Sequence, residues 1–311
     1  MRKYRSVSPQ VKWDKVFSIC TIVNDWVKYE SHQQSWRRMG FGGKDCEFLI
    51  SDNSSSNKLD GFQSSRLFLD QARGQYIIMA HLDSNPRVTR DNLLKLLQRL
   101  EAIDPKWAIV GNAGINHLSG SFITLGLKMP RVSEKKGVKG FHLVHTLDEN
   151  LLIVKADARL SLSYDLAGFH LYGLDLCDVA RRLGRTCYVA PMPWYHGSHG
   201  TLNMVFYHKV SEFESKMRNY RKPKIWVTNC TFLTVSRSPL LRAWVRAQAC
   251  WLLRKNEHHS EEERRELWEV AKKEIFFFSA YAFLWLYKKS GLDKWRRKRL
   301  TQRNPTFTPH A

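Results

Sequence analysis

The first 110 residues alternate between short, β-branched apolar runs and longer polar or amphipathic stretches, and no other feature constrains the fold as strongly. Residues 16–23 (VFSICTIV), 47–51 (EFLIS), 76–80 (YIIMA) and 107–110 (WAIV) are compact apolar runs, as expected of buried strands. The stretches between them, about residues 29–39, 61–72 and 90–103, are predicted as helices. Strand–helix–strand order implies crossover connections, hence a mostly parallel sheet flanked by helices: the α/β class. Ligands of such sheets bind at the carboxyl ends of the strands. Two of those ends carry acidic side chains. Asp52 opens the turn cluster DNSSSN, and Asp83 lies in AHLDSNP.

Beyond residue 110 the pattern continues less regularly. Residues 111–140 are rich in Gly, Ser and basic residues and read as loops or short strands. Residues 143–155 (LVHTLDENLLIVK) read as strand, turn and strand. Residues 175–183 have the spacing of a short helix with Gly184 at C′, and 187–190 form another strand before PMPWYH. After about residue 205 the chain changes to basic helices. Ser238-Pro239 opens one, and Ser260 with Glu263 forms the capping box of another. The expected division is an α/β domain over residues 1–205 and a basic, mainly helical region over 206–311.

Charge narrows the partners. The chain has 50 Lys+Arg against 29 Asp+Glu, a net +21, and residues 201–311 alone contribute +13 of it. Such an excess suits a polyanion, either nucleic acid or an acidic membrane face. With 43% hydrophobic residues the chain is not a disordered one. Six cysteines without a CxxC pair read as reduced core residues. No apolar segment precedes Val16, so no signal peptide is expected. The longest uncharged apolar run, residues 275–287, is 13 residues. As a helix it spans roughly 20 Å, short of a ~30 Å hydrocarbon core. The expectation is a cytoplasmic protein, peripheral on the inner face of the cytoplasmic membrane. Lysines flank the run at 272, 273, 288 and 289, so it reads either as a buried helix with solvated ends or as an interfacial anchor on anionic lipid.

Three features carry chemistry. Asp52 can accept hydrogen bonds from a ribose or base edge, or close an Asx-turn. Asp83 at a strand end suits a divalent metal that neutralises a diphosphate. The segment FHLYGLDLCDVA puts Asp175 at a helix start, where a carboxylate can act as general base. His196 follows in PWYHGSHG, where an imidazole can ligate metal.

In order, these features resemble the GT-A-fold nucleotide-sugar glycosyltransferases of family 2, especially bacterial cell-surface polysaccharide members. The resemblance rests on SICTIVND (residues 18–25), DNSS (52–55), ARGQY (72–76) with HLDS (81–84), WAIVG (107–111), LDE (147–149) and FHLYGLDLC (169–177), and covers residues 16–200. It implies a GT-A (Rossmann-like) sheet and an inverting transfer from a nucleotide diphosphate sugar to a hydroxyl of a glycan or lipid-linked acceptor. It also implies a divalent metal, Mn²⁺ or Mg²⁺. Carried over, Asp25, Asp52 and Asn53 would contact the donor nucleotide. Asp83, with His81 and His196, would bind metal and diphosphate, and Asp175 would be the base. Apart from the resemblance, the basic residues of 131–139 read either as a solvated loop or as groups that help hold the diphosphate. The sequence departs from the family where many members have a second acidic residue, here Tyr172-Gly173, and where His81 replaces the first Asp of the metal motif. The competing readings are a basic nucleic-acid-binding protein, for which no motif is present, and a membrane-docked GT-A-like scaffold without catalysis.

Overall fold

The computed structural model describes residues 13–116, 127–128, 140–197, 203–218, 225–228, 230–254 and 260–292. The basic residues 131–139 lie outside the described residues. The strands are β1 (Lys15–Val23), β2 (Cys46–Asp52), β3 (Gly74–Ala80), β4 (Ser84–Pro86), β5 (Trp107–Gly111), β6 (Gly114–Asn116), β7 (Leu127–Lys128), β8 (His142–Leu143), β9 (Thr146–Leu147), β10 (Leu151–Lys155), β11 (Thr186–Val189), β12 (Trp194–His196), β13 (Ile225–Val227) and β14 (Phe232–Thr234). The helices are α1 (Trp26–Arg38), α2 (Gly61–Gln71), α3 (Arg90–Ile103), α4 (Tyr172–Arg182), α5 (Met204–Arg218), α6 (Pro239–Arg254), α7 (Glu261–Ala271) and α8 (Phe277–Lys289).

Seven strands form one sheet in the order β2-β1-β3-β10-β5-β11-β8. Pairings β1–β2, β1–β3 and β5–β11 are parallel; β10 runs antiparallel between β3 and β5, and β8 antiparallel at the edge. This is the mostly parallel, helix-flanked α/β sheet expected, with one central strand reversed. Alternation along each strand feeds two cores. Phe17, Ile19, Ile78, Leu151 and Ile153 pack on one face with Trp36 of α1 and Leu93, Leu97 and Leu100 of α3. Ile77, Met79, Leu152 and Val154 pack on the other with α2 and α4.

The helices α1, α2 and α3 form where the sequence supplies both a cap and a stripe. Asp60 caps α2 in a reciprocal box with Gln63. Thr89 caps α3, whose buried leucines recur at i, i+4 and i+7. α1 buries Tyr29, His32 and Trp36, and Gly40, at φ 88°, supplies the left-handed turn that ends it. The basic C-terminal helices share the second core rather than forming their own: Tyr207, Phe213, Trp226, Leu267 and Phe277 belong to one buried cluster with the sheet. A buried ion pair stitches them, Arg246 Nη2 to Glu214 Oε2 at 2.6 Å, with Glu214 Oε1 accepting the Thr234 N–H at 2.7 Å. All six cysteines are free and five are buried, the core role expected for them.

Candidate functional site

The carboxyl ends of β1, β2 and β3 lie side by side, because parallel register pairs Val23 with Asp52 and Cys20 with Met79. They open onto a cavity of about 420 Å³. Asn24 and Asn53 line it from the first two strand ends, His81 and Asp83 from the third, and Phe169, His170 and Tyr172 from the segment entering α4.

The strongest cluster is His81, Asp83 and His196. β3 ends at Ala80, the His81 N–H donates to the Asn150 carbonyl, and the Ser84 N–H closes the turn onto the His81 carbonyl at 3.0 Å. This turn presents Asp83. β4 follows at once and pairs antiparallel with β12, setting His196 opposite Ser84, while the Gly197 N–H donates to the Asp83 carbonyl at 2.9 Å. Trp194 anchors that ribbon by donating to Ser84 Oγ at 2.6 Å. One ligand atom from each of the three residues lies within 4.8 Å of the others, and all three side chains are half-buried.

The donor set fits a divalent ion. Bonds of about 2.0–2.2 Å from one ion would need only a small contraction of this spacing. His196 Nε2 is buried with no hydrogen-bond partner among the described residues, and its ion-pair neighbour Asp83 Oδ1 is 3.6 Å away. Burial holds the His81 imidazole below its usual pKa, favouring the neutral form that offers a lone pair. Its Nε2 lies 3.1 Å from the Tyr172 hydroxyl, which fixes the ring. Two imidazoles with one carboxylate suit a transition-metal dication better than Mg²⁺, which prefers all-oxygen ligands.

Asp25 and Asp52 are placed beside the cavity rather than on its wall. Asp25 is the N-cap of α1 and accepts the Lys28 N–H at 3.0 Å; that bond holds its carboxyl below the usual range. Asp52 closes an Asx-turn by accepting the Ser54 N–H at 2.9 Å, and the Ser54 hydroxyl first, then this N–H, holds its carboxyl below the usual range. Their neighbours Asn24 and Asn53 line the cavity instead. Asn53 is buried and spends its amide on the loop, donating to the Leu59 carbonyl and accepting from the Lys58 and Leu59 N–H groups.

Asp175, expected as the base, does not line the cavity. α4 begins at Tyr172, about one turn before the predicted start, which turns Asp175 inward to 0% exposure. Its carboxylate accepts both the Ser163 N–H at 2.7 Å and the Ser163 hydroxyl at 2.8 Å. The segment it fixes is also held by Arg66 on the Ser163 carbonyl, by Lys216 on the Asp165 carbonyl and by Asp60 on the Gly168 N–H. That segment delivers Phe169 and His170 to the cavity wall. Leu171 completes it at φ 73°, a left-handed conformation unusual for a branched side chain.

One carboxylate near the wall was not singled out as a site residue in the sequence. Glu149, in the turn between β9 and β10, accepts the Gly173 N–H at the start of α4 at 3.2 Å. A Cβ on Gly173 would stand 3.0 Å from Glu149 Cγ, so the glycine in place of an acidic residue makes room for Glu149. The Tyr172 hydroxyl connects the two groups, donating to the Glu149 carbonyl at 3.3 Å and lying against His81. Burial first, and Asp148 second, push the Glu149 carboxyl up to about 8. The signal in the sequence was the LDE segment itself, whose second acid the turn half-buries.

No family model matches the chain. The "ATP synthase subunits region ORF 6" protein of Fuscovulum blasticum is 32% identical over 214 residues, covering 66% of this chain and 84% of that protein. Among solved structures, a mannosyltransferase from Pyrobaculum calidifontis in complex with GDP-Man and Mn²⁺ matches 94% of this chain and 79% of its own, at 12% identity and a TM-score of 0.39. GalNAc-T7 with UDP, GalNAc and Mn²⁺ matches 86% of this chain at 9% identity and a TM-score of 0.44, and the chain spans 57% of that protein. S. aureus TarS 1–349 matches 66% of each chain at 14% identity and a TM-score of 0.41.

Proposed function

The chain belongs to the family of the Fuscovulum blasticum ATP synthase subunits region ORF 6 protein, and we propose that it is a GT-A-fold glycosyltransferase. It moves a sugar from a nucleotide diphosphate sugar to a hydroxyl acceptor, with inversion. The observation that carries this reading is the His81–Asp83–His196 cluster on a cavity at the carboxyl ends of parallel strands.

The nucleotide lies over Asn24 and Asn53, with Asp25 and Asp52 beside them, and the diphosphate points to Asp83. His81, Asp83 and His196 hold a divalent ion, whose contribution is to neutralise charge on the departing diphosphate. Tyr172 keeps His81 oriented. Phe169 and Tyr172 wall the sugar from water. Glu149, seated on the Gly173 N–H, takes the acceptor hydroxyl proton as that oxygen attacks the anomeric carbon and the bond to the diphosphate breaks. The acceptor is a glycan or a lipid-linked sugar of bacterial surface polysaccharide synthesis. This is the chemistry of the family that the residue 16–200 motifs resemble.

The test is release of nucleoside diphosphate from a panel of UDP- and GDP-sugars with Mn²⁺. Turnover of at least one donor is expected, and loss of it in a folded Asp83→Ala variant. A chain that releases nothing and gains no thermal stability from any donor with Mn²⁺ would overturn the proposal.

A further inference from the structure

α8 is half covered. Phe277 and Leu284, two turns apart, are fully buried, with Trp268 of α7 stacked edge-on against Phe277 at 4.9 Å and Trp244 of α6 against Phe283 at 6.0 Å. At 100° per residue, the side turned away from Phe277 and Leu284 carries Phe278, Ser279, Ala282, Phe283, Leu286 and Lys289, with Trp285 at its edge. Phe278 is 62% exposed, Leu286 58%, Trp285 40%, and Ile275, just before the helix, 77%. Scattered exposed apolar residues are ordinary, but several gathered on one helix face are the mark of a docking surface.

Charge identifies the occupant. Lys273 precedes the strip and Lys289 follows it, both exposed, while Lys272 is paired with Glu269 at 2.6 Å; residues 275–292 contain no acidic residue but Asp293 lies just beyond. The Lys289 ammonium sits 4.6 Å over the Trp285 ring, a cation placed at the polar end of an aromatic wedge. The acid at the head of the helix, Glu274, is already paired with Arg242 at 3.0 Å. Nucleic acid would attract the lysines but offer nothing to Ile275 and Leu286. A second copy would set lysines against lysines.

We infer that this face of α8 docks on the surface of an anionic lipid bilayer, with Phe278, Trp285 and Leu286 entering the headgroup boundary and the lysines meeting lipid phosphates. Among the described residues no helix is long and apolar enough to cross a membrane, so the helix lies in the interface. The inference goes beyond the transfer reaction and stands whether or not a donor is found. If both hold, docking brings the cavity to a membrane-borne acceptor.

The experiment is flotation of the full chain with vesicles of phosphatidylcholine alone and of phosphatidylcholine mixed with phosphatidylglycerol. Binding is expected only to the mixed vesicles, and it falls as salt is raised. The variant Phe278→Ser/Trp285→Ser/Leu286→Ser should bind at least about tenfold more weakly. Lys273→Glu/Lys289→Glu should lose at least about 25-fold at low salt. Circular dichroism checks folding, and the lysine variant decides if the triple variant unfolds. Absence of wild-type binding to the anionic vesicles at low salt, or equal binding by a folded variant, overturns the inference. So does a wild-type dimer that the triple variant splits, because a second copy would then be the occupant.

Discussion

Replacing Asp175 separates two roles that the same residue cannot both fill. In the structure its carboxylate is a buried acceptor for the Ser163 N–H and hydroxyl. Asp175→Ala leaves the Ser163 N–H with no acceptor and removes two hydrogen bonds to a carboxylate, each worth about 1.5–3 kcal/mol. Burial raises the carboxyl's pKa, so removing it also returns part of a desolvation cost. The net loss expected is about 2–4 kcal/mol. Asp175→Asn behaves differently. Its amide oxygen accepts from the Ser163 N–H, and its NH₂ donates to the Ser163 hydroxyl once that hydroxyl rotates. Stability within about 1 kcal/mol of wild type, and transfer near wild type, should follow. Urea unfolding and turnover of each variant make the measurement. A general base would give the opposite result: Asp175→Asn fully stable but about 10²–10⁴ slower. That outcome would refute the positioning role and restore Asp175 to catalysis.

Glu149→Gln should slow transfer by about 10²–10⁴ with donor affinity unchanged, read by steady-state kinetics and donor titration; equal loss of donor binding would make Glu149 structural. Arg246→Ala leaves the buried Glu214 carboxylate unpaired and should cost about 3–5 kcal/mol in urea unfolding, whereas a loss under 1 kcal/mol would mean that Glu214 is already protonated. His32 accepts the Trp36 indole N–H on Nε2 at 3.0 Å, and burial lowers its pKa from 6.5 to about 4. Because the folded pKa lies below the unfolded one, its stabilisation is present above about pH 6.5 and lost as pH falls toward 4. Wild type should lose about 2 kcal/mol between roughly pH 7 and 5 that His32→Gln does not lose; identical pH slopes would contradict the assignment.

The parallel part of the sheet was legible because strands buried on both faces leave continuous apolar runs, and VFSICTIV and YIIMA leave little alternative. The reversal of β10 was not. LLIVK reads the same whichever way it runs, and direction is decided by its pairing with β3 and β5. Asp83 was visible as a strand-end acid. Its approach to His196 depends on β4 and β12, three residues each, too short to show a period. Asp25 and Asp52 were read as donor contacts although both have strong local uses, a helix cap and an Asx-turn, and local hydrogen bonds claim part of each. The burial of Asp175 was not legible because it turns on a helix boundary: starting α4 at Tyr172 decides which face the residue occupies. Residues 275–287 are apolar nearly all round, so the pattern could not say which face of α8 is buried. Packing of Phe277 and Leu284 on α6 and α7 chose it.

His81, Asp83 and His196 are proposed to hold a divalent ion that the donor diphosphate shares. Calorimetric titration of UDP and GDP into the full chain, with and without Mn²⁺, tests it most directly when repeated on Asp83→Asn. The account predicts that Mn²⁺ tightens at least one nucleotide by tenfold or more, about 1.4 kcal/mol, and that Asp83→Asn removes this gain while the fold persists. Nucleotide binding that ignores Mn²⁺, or a Mn²⁺ effect that survives in Asp83→Asn, would contradict it.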